Sequence, residues 1–83
     1  MTAEMIQKFV ENKGRKDSAI NIHFKERRTV TGVFIHCPDY DELKSKNFWR
    51  IVSNENIPEW EKTKNANLAR IFNGVSFTRL TEI

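Results

Sequence analysis

The 83 residues hold a single cysteine, Cys37, so no disulfide can form within the chain. Small secreted domains usually need such staples, and the shortage points to a reducing, cytoplasmic setting. Two histidines, His23 and His36, with that one thiol fall short of the four paired ligands of a zinc site. The acidic residues Asp39, Asp41 and Glu42 lack the spacing and the loop glycine of a calcium site. No metal or other cofactor is expected. The three glycines stand apart from one another, so no glycine-rich loop can cradle a phosphate. No apolar run approaches the roughly 20 residues of a membrane-spanning helix, and no stretch has the pattern of a signal peptide. A Cys-His nucleophile would need a third group to orient its base and a site for substrate, and nothing marks either. The expectation is a protein that is not an enzyme.

What is present is aromatic and mixed in charge. Six Phe, two Trp and one Tyr bring the aromatic content to 11%. That is enough large apolar surface to fill one small core, which argues against disorder. A chain of this length buries only about 60% of the surface its unfolded form exposes, so residues 1–83 make one domain of slender stability. Fourteen basic and eleven acidic residues leave a net charge of +3, which permits an anionic partner without demanding one. Arg15, Lys16, Lys25, Arg27 and Arg28 fall close together against Asp17 and Glu26.

Periodicity divides the chain. Met5, Ile6, Phe9 and Val10 share one helical face, which predicts a helix over about 3–13. Thr2 can cap it, Glu4 suits its first turn, and Gly14 can end it. From Ala19 the period becomes two: Ile20, Ile22 and Phe24 alternate with polar residues, as in a half-buried strand. Lys25-Glu26-Arg27-Arg28 reads as a turn, and a second strand follows over 29–35. Gly32 interrupts it, marking a sharp bend or a close backbone approach. Beyond Gly32 both faces are apolar. Residues 37–46 read as a polar loop anchored by Tyr40 and Leu43. Strands follow over 48–52, 68–72 and 75–83. A long polar connection in the middle holds one helical turn at Ile57-Pro58-Glu59-Trp60. Asn73-Gly74, between the last two strands, is the pair that most readily takes the positive φ of a tight turn.

Two segments carry a resemblance. Phe24-Lys25-Glu26-Arg27-Arg28-Thr29-Val30-Thr31-Gly32 has an apolar strand end, Lys, a tight turn, Arg, three residues and Gly. Phe72-Asn73-Gly74-Val75-Ser76-Phe77 has an apolar residue, a polar one, Gly, two residues and an apolar one. Together they resemble the two motifs of the Sm-like small barrels, the family of the bacterial RNA chaperone and the Sm proteins. The resemblance implies a mainly β fold: a five-stranded, strongly bent antiparallel barrel of SH3-like or Sm-like type, with the short N-terminal helix capping its open end. It also implies a non-catalytic module for single-stranded RNA, able to associate with further copies of itself. Arg27 stands where the family's turn usually has Gly, and Asn73 where many members place a basic residue.

In that reading the RNA contacts are Tyr40, Asn47, Asn73 and Gly74, with Lys25, Arg27 and Arg28 on the phosphates. Trp49, inside an apolar strand, belongs to the core. Trp60, in the polar connection beside Pro58, is a candidate anchor for a protein partner. The alternative is a protein-interaction or structural barrel that never meets nucleic acid.

Overall fold

The computed structural model describes residues 1–11 and 18–83. The expectations placed on Gly14, Arg15, Lys16 and Asp17 lie outside the described residues. The elements run α1 (Ala3–Val10), β1 (Ile20–Phe24), β2 (Val30–Phe34), α2 (Tyr40–Ser45), β3 (Phe48–Ser53), α3 (Ile57–Thr63), β4 (Arg70–Asn73) and β5 (Phe77–Glu82). Short 3-10 turns cover Asn54–Asn56, Ala66–Leu68 and Gly74–Ser76.

The strands form one antiparallel sheet in the order β4-β3-β2-β1-β5. The end strands β4 and β5 do not pair with each other, so the sheet is not closed. It is nevertheless sharply curled, and chain length requires this. In a flat sheet β4 and β5 would lie four strand spacings apart, about 19 Å. Only residues 74–76 join them, and four backbone steps reach about 14 Å when fully extended. Ring contacts agree. Phe24 on β1 and Phe72 on β4 have centroids 5.8 Å apart, where flat strands would hold them near 14 Å, about three spacings.

The curl wraps a core of Ile20, Ile22, Phe34, Trp49, Ile51, Phe77 and Leu80. α1 adds Ile6, which is fully buried, and Val10. Its start is fixed by Thr2, whose hydroxyl accepts from the Met5 amide at 3.2 Å. The helix ends at Val10, short of the expected 13. Phe9 packs against the core, but Met5 is 54% exposed and takes no part in it.

A second cluster lies on the opposite face, where Val33, Ile35 and Val52 meet Ile57 and Trp60 of α3. Both faces of β2 are thus covered beyond Gly32, as its apolar run predicts. A Cβ on Gly32 would stand 2.5 Å from the Val52 carbonyl oxygen, so the glycine admits the backbone of β3 at close range.

Three local expectations need correction. Residues 37–46 are not all loop: α2 forms there, with two apolar anchors too few to show a helical period in the sequence. Residues 57–60 begin a seven-residue helix. Asn73-Gly74 is not a hairpin turn, since β4 and β5 are not neighbours, and Gly74 does not take a positive φ. Its glycine is required by crowding instead: a Cβ would collide with the Asn47 side chain and with Ile6 Cδ1. The positive φ values fall on Asn47 (62°) and Lys64 (54°). No helix is long and apolar enough to cross a membrane, among the described residues.

Candidate nucleic-acid interface

The β1–β2 turn, residues 25–29, carries Lys25, Arg27 and Arg28, all exposed. The register places it beside the link between β4 and β5: Phe24 faces Phe77 across the β1–β5 ladder, and the Lys25 amide donates to the Ser76 carbonyl at 3.1 Å. Two segments far apart in the chain therefore form one surface. Phe24, Lys25, Glu26, Arg27, Val75 and Ser76 line a shallow cleft of about 390 Å³. The Arg27 guanidinium lies 5.0 Å from the Phe24 ring centroid and 5.5 Å from that of Phe72. Cations sit favourably over ring faces, so the two rings hold Arg27 in place without neutralising it. No carboxylate is within ion-pair distance of Lys25, Arg27 or Arg28 among the described residues.

Asn73 precedes and Gly74 opens the same link, but they do not line the cleft, and their groups are engaged. Asn73 Oδ1 accepts from the Val75 amide at 3.0 Å and fixes the 3-10 turn. Gly74 is buried, and its amide donates to the Asn47 carbonyl at 2.8 Å. Asn47 works inward as well. Its Nδ2 donates to the Met1 carbonyl at 3.0 Å, and its Oδ1 accepts from Trp49 Nε1 at 2.8 Å. The Met1 amino group donates to the carbonyls of Gly74 (3.1 Å) and Phe77 (2.8 Å). Asn47 thus ties the start of the chain, β3 and the last link together.

Tyr40 belongs to a different cleft, of about 460 Å³, which it lines with Glu11, His36 and Lys44. Its ring stacks on His36, with centroids 3.9 Å apart and planes 12° from parallel. Its hydroxyl donates to Glu11 Oε2 at 2.6 Å, and Lys44 lies 3.7 Å from the same carboxylate. Burial, reinforced by the hydrogen bond to Glu11, raises the phenol well above its ordinary pKa. The Tyr40 hydrogen bond in turn lowers the Glu11 carboxyl. Nearby, Arg50 grips Asp39 through Nη2 at 2.7 Å and Nε at 3.3 Å, which lowers the Asp39 carboxyl. This end of the protein carries acid as well as rings.

Trp60 is half-buried over the second cluster, and Lys64 Nζ lies 4.0 Å from its ring centroid. Trp49 is in the core, 1% exposed. Phe72 and Val75 complete the surface around Arg27, although the resemblance assigns neither to RNA contact. Phe24 beside a basic turn was the visible signal. That a ring from β4 would reach it depends on the curl of the sheet. Among the described residues no three His, Cys, Asp or Glu side chains converge as metal ligands would. The chain matches no family model, no curated protein and no solved structure.

Proposed function

We propose that the chain is a cytoplasmic, non-catalytic module that binds single-stranded RNA on an Sm-like or SH3-like barrel. One observation carries the reading: the basic β1–β2 turn and the β4–β5 link lie against each other, so that Lys25 and Arg27 rim one cleft with Val75 and Ser76, and Arg28 follows, exposed, in the same turn. Three cations within four residues of sequence, none ion-paired among the described residues, suit a backbone carrying one charge per nucleotide. The curled strand order and the docking of α1 on its interior support the barrel assignment. Titrating a fluorescently labelled single-stranded RNA at low salt tests the reading. Binding that weakens when Lys25, Arg27 and Arg28 become Gln is the expected result. No binding at about 50 μM protein, near the weak end of non-specific nucleic-acid affinity, would overturn it.

A second reading, a protein-interaction barrel, draws on another feature. Among the described residues no strand pairs with the outer edge of β4 or β5, and Ile71 on β4 is 50% exposed. Open edges template pairing between chains, a second copy included. Light scattering across a range of concentrations separates a monomer from a self-associating chain.

A further inference from the structure

Reading a base requires an open ring face or a free amide near the phosphate-binding groups. The cationic rim has no open ring face, and the amide beside it, Asn73, has its oxygen committed to Val75 and keeps only its Nδ2 donor, a group that finds an acceptor on every base. Every Phe, Trp and Tyr side chain is buried or half-buried. The two rings nearest the rim, Phe24 and Phe72, lie under Arg27. Asn73 spends its carbonyl oxygen on Val75, and Asn47 is engaged at both ends of its amide. The one exposed ring that a base could extend is His36, stacked on Tyr40 in the other cleft. That cleft is bordered by Glu11 and Asp41, and its one lysine, Lys44, already pairs with both carboxylates, which leaves it no spare cation for a phosphate chain. Phosphate-holding and base-holding groups are therefore segregated on this molecule.

We infer that the rim takes the phosphate backbone alone and leaves the bases unread, so that the single strand of the reading above is bound without regard to its sequence. The inference rests on the RNA-binding reading above and narrows it. Glu26, which also lines the rim cleft, opposes binding and keeps it weak.

The test uses the full chain and four labelled strands of equal length: oligo(A), oligo(U), oligo-dT and an abasic strand. A single stacked base is worth about fivefold or more in affinity, so the abasic strand is expected within about fivefold of the other three. Three phosphate contacts give a log–log salt slope of about −2, a loss of about 20-fold between 50 and 200 mM salt. Replacing Lys25 and Arg28 by Gln alters two exposed side chains, and should reduce the slope by about 1.4. An abasic strand bound more than about fivefold weaker overturns the inference and leaves RNA binding standing. An unchanged slope in the double variant moves the contacts away from the rim, and also overturns it. Failure of every strand to bind overturns both readings.

Discussion

A methyl group at position 74 has nowhere to go. The Asn47 amide and Ile6 Cδ1 already occupy its space, and neither is a loose surface group, since both are held within the fold. Gly74→Ala is expected to cost about 1–3 kcal/mol through overpacking, read as a lower urea midpoint. An unchanged midpoint would show that the Asn47 node yields freely. Tyr40 offers a direct optical test, because it is the only tyrosine. Its raised pKa means that the folded state favours the neutral phenol. The stabilisation is complete below the unfolded value, about 10, and is lost as pH rises through the folded value. Phenolate absorbance should therefore appear only well above pH 10, and Glu11→Gln should bring it back toward that value. A midpoint near 10 in the unmodified chain would contradict the Tyr40–Glu11 bond. Asp39 behaves oppositely. Its lowered pKa gives stability that is present above about pH 3.9 and fades as pH falls through the folded value, a change that Arg50→Gln should abolish.

Among the elements, α1 divides its own face unequally. Ile6→Ala is expected to cost about 2–5 kcal/mol, because the side chain is fully enclosed. Met5→Ala, on the exposed side, should stay within about 0.5 kcal/mol. Equal effects, measured by chemical denaturation, would mean that the helix docks in another rotation. The sequence showed α1 and the first three strands because each has one apolar period long enough to read: Ile20, Ile22 and Phe24 in β1, or Phe48 to Val52 in β3. α2 was hidden for a physical reason. Its six residues are held by contacts the sequence does not display, Tyr40 to Glu11 and Asp39 to Arg50. The link after β4 misled in the other direction. Asn-Gly carries a strong local hairpin signal, and the curl of the sheet overrode it by giving each end strand a different partner.

For the molecule as a whole, the site is legible in part for the same reason. Lys25, Arg27 and Arg28 fall within four residues and are legible in the sequence. Their meeting with Val75 and Phe72 depends on residues some fifty positions away and on a bend no local pattern records. The open outer edges of β4 and β5 set a further expectation. If copies pair there, the melting temperature should rise with protein concentration, whereas a fixed value marks a monomer. The strand order also bears on how the chain is made. β1 takes its second neighbour from β5, so Ile22 waits for Leu80. During synthesis the first seventy or so residues leave the ribosome with one side of β1 unpaired, and with Ile22 and Phe24 short of their cover. Pairing across so long a loop is slow, and an unpaired apolar edge is an invitation to other nascent chains. β5 thus supplies cover that β1 lacks until Phe77–Glu82 has been made. A chain stalled before Phe77 should aggregate, and a separate peptide spanning 77–83 should rescue it by filling the vacant place beside β1.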